Sequence, residues 1–142
     1  MHLSLVEAFG RFGSKPYNRA HALSAIATDG AMVLNCSPAY FGHPAQGVLR
    51  YEDRLSRESL RTGPAGLLGQ HLTLARNSAL PVRMVVTSVA SENKGTSSRH
   101  VRADLIGKVV MFDGDHSIVD FTRREETRRT AGAARRAALA VL

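Results

Sequence analysis

The sequence contains no tryptophan and a single cysteine, Cys36. One thiol excludes an internal disulfide framework and any zinc site built from several thiolates. No apolar run reaches the roughly 18 residues that a membrane-spanning helix needs, so we expect no membrane association. The N-terminal stretch is only briefly apolar and contains Glu7, which is unlike a secretory signal. These absences predict a cytoplasmic protein, for which we expect neither a cofactor nor a bound metal ion.

The size and composition fit one globular domain. The chain has 142 residues, of which 44% are hydrophobic and 22% are charged. A chain of this length supports one hydrophobic core and is short for two. We predict a single α+β domain over residues 1–122 and a basic, Ala/Arg-rich C-terminal helix over residues 123–142.

The charge is strongly positive. Nineteen Lys and Arg residues stand against twelve Asp and Glu residues, a formal net charge of +7, and sixteen of the nineteen are arginine. Arginine binds phosphate through a planar fork of donors, so this balance favours nucleic acid as the partner, and we expect DNA rather than RNA. A GC-rich genome would also enrich arginine and alanine, so the total charge is only a footprint of such binding.

Two segments have the pattern of β-hairpins. The first covers residues 21–36 with its turn at residues 28–30, and the second covers residues 107–122 with its turn at residues 113–115. Each turn contains Asp-Gly between apolar runs, and glycine accepts the positive φ that such turns need. In the last arm, alternation places Val119 and Phe121 on one face and Ile118 and Asp120 on the other.

The remaining segments are assigned from periodicity and from turn residues. We predict helices at residues 3–12 and 67–78, a helical charge pattern at residues 52–61, and strands at residues 48–51 and 82–89. The strand at residues 82–89 is rich in β-branched residues and is expected to be central. Residues 37–47 and 91–100 are expected to be loops.

Together these elements predict the α+β class. We expect about five strands in a curved, mostly antiparallel and partly closed sheet, with helices packed outside. The architecture is loosely like that of PUA-like barrels, some of which read modified bases. This likeness of architecture sets an expectation and does not establish function.

A partial resemblance to a family supports a single compact domain. The motif Phe-Gly-x-Lys-x-x-Asn, a strand with Ser-Ala and an Asp-Gly turn resemble the opening of an uncharacterised family of small bacterial domains. The matching residues are Phe12, Gly13, Lys15, Asn18, Ser24, Ala25, Asp29 and Gly30. A later segment is also similar, at Ala75, Arg76 and residues 82–86. Members of the family usually carry tryptophans in the first strands, and this chain has none.

The first candidate binding site is the segment that contains Tyr40, Phe41 and His43. Two adjacent aromatic rings beside a glycine and a histidine are suited to stack on a base and to bind its edge. Tyr17 and Tyr51 are expected to join them. In the alternative interpretation, Phe41 fills the core beneath a long loop and Tyr40 covers its rim.

Basic residues provide three further candidate contacts to phosphate. One group follows the central strand, one surrounds the first turn, and one recurs along the predicted tail helix. Their members are Lys94, Arg99, His100 and Arg102; Arg11, Lys15 and Arg19; and Arg124, Arg128 and Arg135. The alternatives are a solvated loop, and a tail that is merely solvated or that mediates self-association or contact with a partner protein.

Some residues also fit catalytic or metal-binding motifs. Glu92 and Lys94 resemble the end of a PD-(D/E)xK nuclease motif, in which carboxylates bind magnesium, and Asp53 or Glu52 would supply the upstream carboxylate. Two other groupings are a metal site on the second hairpin and a thiol–imidazole pair. Their members are Asp113, Asp115, His116 and Asp120, and Cys36 with His21 or His43. Ordinary turn and core roles account for these residues better, so we predict a nucleic-acid-binding domain without catalytic activity, in which a flipped or modified base is read.

Overall fold

The structure, a computed structural model, describes residues 3–16, 22–58, 62–89 and 97–124. Within these residues the chain forms seven strands, two α-helices and two short 3-10 turns. In chain order the elements are α1 (Leu5–Gly10), β1 (Ser24–Ile26), β2 (Met32–Cys36), a 3-10 turn (Pro38–Tyr40), β3 (Phe41–Ala45), β4 (Val48–Arg54), a second 3-10 turn (Leu55–Glu58), α2 (Thr62–Ser78), β5 (Val82–Val89), β6 (Ser97–Phe112) and β7 (His116–Arg123).

All seven strands belong to one mixed sheet with the order β1-β2-β5-β6-β7-β4-β3. The β2–β5 pair is parallel and the other five pairs are antiparallel. The chain segment containing β3, β4 and α2 connects the two parallel strands. The α+β class is therefore confirmed, but the sheet has two open edges, β1 and β3, and it does not close into a barrel.

The Asp-Gly hairpins predicted from the sequence are confirmed. β1 pairs with β2 and β6 pairs with β7, and the turn glycines Gly30 and Gly114 have φ of 89° and 106°. Asp29 accepts a hydrogen bond from the backbone N–H of Ala31, and Asp113 accepts two from the backbone N–H groups of Asp115 and His116. These carboxylates stabilise the turns and hold them in register.

Several predicted boundaries were wrong. The predicted count of about five strands is too low, because β3 lies in the segment taken as a loop at residues 37–47. Residues 97–100, also taken as loop, begin the long strand β6, and β4 continues to Arg54 instead of giving way to a helix at residue 52. In each case pairing with a neighbouring strand overrides a weak local propensity.

The two helices cover opposite faces of the sheet. Along β2 and β5, alternate side chains belong to two separate core clusters. One cluster contains Leu72 and Ala75 of α2 with Met32, Leu34, Val82 and Met84. The other contains Leu5, Ala8 and Phe9 of α1 with Val33 and Val85. The centre of the sheet is therefore buried on both sides, as predicted for the strand at residues 82–89.

The sheet curves so that its β3 edge returns toward β5. The 3-10 turn Pro38–Tyr40 contacts β5, although three other strands separate β5 from β3 at the end of the sheet. Phe41 packs against the core cluster that contains Met84. A concave surface therefore lies between the β3–β4 hairpin and strands β5 and β6, and it positions the site described below.

The C-terminal prediction needs one correction. β7 continues through Arg123, so this residue lies in a strand and not in the predicted helix. Residues 125–142 lie outside the described residues, as do the tail arginines Arg128 and Arg135. Within the described part of the chain, no helix has both the length and the apolar character that crossing a membrane requires.

Candidate functional site

A cleft of about 580 Å³ occupies the concave surface of the sheet. The β3–β4 hairpin forms one wall, and strands β5, β6 and β7 form the floor and the other wall. Its volume lies within the range of about 300–1,000 Å³ that is typical of small-ligand pockets. The residues that line it are Pro38, Phe41, His43, Gly47, Val48, Leu49, Met84, Val86, Ser88, His100, Arg102, Leu105, Phe121 and Arg123.

The floor of the cleft is apolar. Met84 and Val86 point to the same face of the sheet, because residues two apart along a strand share a face. Leu105 of β6 and Phe121 of β7 line the same cleft. The pairing of β5 with β6 is irregular between Val82 and Met84, where a bulge in β6 shifts the register. This bulge places Arg102 and Leu105 on one face although three positions separate them.

Four basic or titratable side chains surround this floor: His43, His100, Arg102 and Arg123. Among the described residues that line the cleft, none is Asp or Glu. Neither His43 nor His100 has a hydrogen-bond partner within the described part of the chain. The cleft therefore combines an apolar base with a cationic rim, an arrangement suited to an anion that carries a flat or apolar body.

Part of this positive charge is offset by Asp104. The Arg102 guanidinium donates two hydrogen bonds to its carboxylate, of 3.0 and 2.9 Å. These bonds and the charges of Arg102 and Arg123 lower the pKa of Asp104, so this carboxylate stays ionised. An anion in the cleft would thus compete with Asp104 for Arg102, and Arg123 adds a second cation.

The aromatic residues form a cluster around Tyr51. The ring of Phe41 lies 4.9 Å from that of Tyr51, and the ring of Tyr40 lies 6.4 Å away in an edge-to-face arrangement. Tyr51 is 4% exposed, and its hydroxyl accepts a hydrogen bond from the backbone N–H of Ser37. Burial raises the pKa of this hydroxyl. Phe41 is half-buried, so it both anchors the hairpin to the core and lines the cleft.

A second, polar cleft of about 590 Å³ lies on the other side of β3 and shares Phe41 and His43 with the first. Its charges are paired. Arg50 binds Asp120 through two hydrogen bonds of 2.7 and 2.9 Å, Arg54 lies 3.4 Å from Asp115, and His116 bonds to Glu52. The hydrogen bonds from Arg50 lower the pKa of Asp120, and the backbone N–H of Ser56, with a smaller contribution from Arg54, lowers the pKa of Asp115. This cleft offers little net charge to an anion.

Four of the predicted site residues come together in the concave cleft: Phe41, His43, His100 and Arg102. Tyr40 lies beside it, in the polar cleft. Tyr17, Arg19, Lys94, Arg128 and Arg135 lie outside the described residues.

The structure separates the other predicted basic residues from the cleft. Arg11 and Lys15 follow α1, on the opposite face of the sheet. Arg99 alternates with His100, and its backbone pairs with Leu3 ahead of α1. Arg124 lies near Arg83, whose pKa is lowered by burial and by that neighbouring charge. The guanidinium of Arg83 lies 4.6 Å from the Phe12 ring.

Sequence reasoning missed Arg123 and the apolar floor of the cleft. Arg123 follows Val119 and Phe121 at intervals of two, so the alternation that placed those residues on one face also places Arg123 there. The floor depends on the curvature of the sheet and on the bulge in β6, for which the sequence has no local signal.

The carboxylates considered for catalysis have structural roles here. Asp113 caps the second hairpin turn, Asp115 accepts a hydrogen bond from the backbone N–H of Ser56, and Asp120 pairs with Arg50. Within the described ranges, no three His, Cys, Asp or Glu residues are grouped as a metal ion would require. Burial raises the pKa of Cys36, so its thiol is protonated, and Glu92 and His21 lie outside those ranges.

Comparison with known proteins gave no match to a protein-family model, to a curated protein or to a solved structure. The resemblance to a family of small bacterial domains therefore stays a prediction. The site geometry is the basis for inferring function.

One polar pair joins α2 to the edge of the sheet. The Ser24 hydroxyl and the Nδ1 atom of His71 share a hydrogen bond of 2.7 Å, and Ser24 is 2% exposed. Such burial leaves the serine inaccessible to a substrate. The pair instead links β1 to the helix that covers it.

This pair predicts a stability that depends on pH. Burial lowers the pKa of His71, so the folded protein binds a proton there less readily than the unfolded chain does. As pH falls through the ordinary histidine value of about 6.5, the unfolded state is protonated first and the free energy of unfolding decreases. We expect urea denaturation of the wild type to show a larger loss between about pH 7.5 and about pH 5.5 than that of His71→Gln. An equal loss in both proteins would show that His71 does not contribute.

Proposed function

We propose that the protein binds nucleic acid and accepts an unpaired base in the concave cleft. The observation that carries the proposal is the lining of this cleft. Phe41 and an apolar floor lie beside four basic or titratable side chains, those of His43, His100, Arg102 and Arg123. None of the described lining residues is acidic. A nucleotide has the matching parts, a flat base and an anionic phosphate.

Each part of the cleft has a role in this proposal. The base packs on Met84, Val86 and the ring of Phe41, and a stack of a base on an aromatic ring is worth about 1–3 kcal/mol. His43 and His100 offer ring nitrogens to the edge of the base. Arg102 and Arg123 bind the adjoining phosphate, as guanidinium groups do through pairs of donors.

The distribution of ion pairs supports this location. On the other side of β3, Arg50 and Arg54 are each bound to an aspartate, so that surface attracts an anion weakly. The cleft is instead rimmed by two arginines, and no carboxylate is among its described lining residues. The net charge of +7 for the whole chain adds a general attraction to a polyanion.

The proposal favours single strands or flipped bases over an intact duplex. A cleft of about 580 Å³ holds one base and its sugar, and a base within a duplex does not reach it unless it leaves the stack. The proposed activity is binding without catalysis, in the cytoplasm. DNA remains the expected polymer on the basis of the sequence. A modified base, such as a methylated one, is also an expected ligand.

Fluorescence anisotropy with labelled oligonucleotides tests this proposal. We expect single-stranded DNA to bind more tightly than a duplex of the same sequence, with a logarithmic salt slope of about −0.7 for each phosphate contacted. Matched RNA and methylated DNA strands identify the preferred polymer and base. An absence of binding to every strand at low salt would contradict the proposal.

A further inference from the structure

The polar cleft on the other side of β3 contains a row of hydrogen-bonded polar pairs. Arg50, Glu52 and Arg54 lie two apart along β4, so their side chains share one face of the sheet. Each is bound by a side chain from β7 or from the turn before it, and the pairs are Arg50–Asp120, Glu52–His116 and Arg54–Asp115. The planar polar groups are therefore held in place before a ligand arrives, which lowers the entropy that binding costs.

These paired groups retain hydrogen-bonding capacity. A guanidinium has five N–H donors, and a carboxylate has about four acceptor positions. The Arg50–Asp120 pair uses two bonds, from Nε to Oδ1 and from one terminal nitrogen to Oδ2. Glu52 bonds to His116 through Oε2, and its side chain is 51% exposed. Donors and acceptors thus alternate along the cleft.

A glycine leaves the backbone of β3 uncovered at this site. Gly42 lines the cleft and lies opposite Arg50 in the β3–β4 pair. Apart from its chain neighbours, no atom of the described residues lies within 4 Å of the position that a Cβ at Gly42 would occupy. A ligand can therefore approach the backbone closely. Tyr40 and Phe41 precede Gly42 and add aromatic surface to the lining.

The pairing favours a neutral ligand over a charged one. An anion would compete with Asp120 for Arg50 or with Asp115 for Arg54, and a cation would compete with those arginines for the same carboxylates. A hydroxyl group both donates and accepts a hydrogen bond, so it binds beside an existing pair without displacing either member. Several hydroxyls on one rigid ring match a row of such pairs.

We propose that the polar cleft binds a saccharide. Neighbouring hydroxyls of the sugar ring donate to Glu52 and accept from Arg50 or Arg54. The ring lies over Gly42, and its C–H groups pack on aromatic surface, since the face of an aromatic ring is electron-rich. This inference goes beyond nucleic-acid binding and does not depend on it, although the two clefts share Phe41 and His43.

The test uses sugars that share a six-membered ring and differ in charge. The neutral probes are the methyl glycosides of glucose, galactose and mannose, and the charged probes are glucosamine and glucuronate. Titrations of the whole protein in the millimolar range are followed by amide NMR. We expect at least one neutral glycoside to shift Gly42, Glu52 and His116 in a saturable manner. No saturable shift with any neutral probe, or tighter binding of either charged sugar, would overturn the proposal.

Two substitutions on β3 provide a matched pair. Gly42→Trp fills the cleft, and it should weaken binding of the best neutral glycoside at least roughly tenfold. Gly42 does not have a positive φ, so the backbone accepts a larger residue there. Ala45→Trp adds the same ring at an exposed position of the same strand that lines neither cleft, and it should leave binding unchanged. Equal binding by both variants would overturn the proposal.

A second pair of variants keeps the test decisive if Gly42→Trp does not fold. Glu52→Ala removes an acceptor, so affinity for the glycoside should fall by roughly three- to tenfold, the usual value of one hydrogen bond. Glu52→Gln keeps an acceptor oxygen and should lose less. Unchanged affinity in Glu52→Ala would contradict the proposal. Oligonucleotide binding should be the same in both Glu52 variants as in the wild type, because Glu52 does not line the concave cleft.

Discussion

Gly107→Ala is expected to lower the free energy of unfolding by roughly 1–3 kcal/mol, as overpacking of a core commonly does. Gly107 lies in β6 opposite Phe121 of β7. A Cβ atom at this position would lie 2.7 Å from both Cδ1 and Cε1 of the Phe121 ring and 3.1 Å from the backbone carbonyl oxygen of Asp120. Phe121 is fully buried, so its ring has little room to move. Urea denaturation measures the loss.

Gly66→Ala is the matched control for this substitution. Gly66 is in α2, and beyond its own helical backbone no atom of the described residues lies within 4 Å of the position that a Cβ would occupy there. Alanine should therefore stabilise the helix, by up to about 1 kcal/mol. A smaller side chain at position 121 should relieve the clash. Phe121→Leu should therefore lower the free energy of unfolding less in the Gly107→Ala protein than in the wild type. A Gly107→Ala protein as stable as the wild type would show that the Gly107–Phe121 contact is not as close as described.

Replacing both Arg102 and Arg123 by alanine is expected to weaken oligonucleotide binding by roughly 10–100-fold. A hydrogen bond to a charged group is worth about 1.5–3 kcal/mol, which corresponds to about tenfold or more for each arginine. The loss of Arg102 also leaves the Asp104 carboxylate without its bidentate partner beside the cleft, which repels phosphate. The salt slope should become shallower by roughly two phosphate contacts.

Arg11→Ala is the control for the loss of charge. Arg11 is exposed and follows α1 on the opposite face of the sheet, so its removal reduces the net charge without touching the cleft. We expect a change in affinity of less than about threefold. If Arg11→Ala weakens binding as much per charge as the double substitution does, nucleic acid is attracted by the overall charge and not by the concave cleft.

Much of the fold was predictable because the signals were local. The two Asp-Gly turns identified the hairpins, and the run of β-branched residues identified β5 as a central strand. β3 was missed because its sequence from Phe41 to Ala45 contains Gly and Pro and does not alternate. It becomes a strand because β4 offers it a hydrogen-bonded partner and because Phe41 packs against Tyr51.

The composition of the site was easier to predict than its location. Phe41, His43, His100 and Arg102 were candidates from the sequence, but roughly sixty residues separate the two pairs along the chain. They meet because the sheet curves, a property of many strands together. The residue that alternation alone would have added is Arg123, which shares a face with Phe121.

The charge pattern shows the limit of counting charges. The excess of arginine predicted a basic surface, yet three arginines are bound to aspartates. Arg50 binds Asp120 of β7, Arg54 binds Asp115 in the turn before β7, and Arg102 binds Asp104 in its own strand. The sequence does not indicate which cations are neutralised, because the Arg50–Asp120 and Arg54–Asp115 pairs depend on the β4–β7 register. What distinguishes the cleft is the absence of acidic residues among its described lining positions.

An amide NMR titration with a short single-stranded oligonucleotide tests the location of the site most directly. If the concave cleft receives a base, the largest shifts will map to His43, Val86, His100 and Arg102, and residues of α1 will shift little. If the shifts instead follow the exposed basic residues on both faces of the sheet, or cluster on α1, the assignment of the cleft as the binding site is wrong.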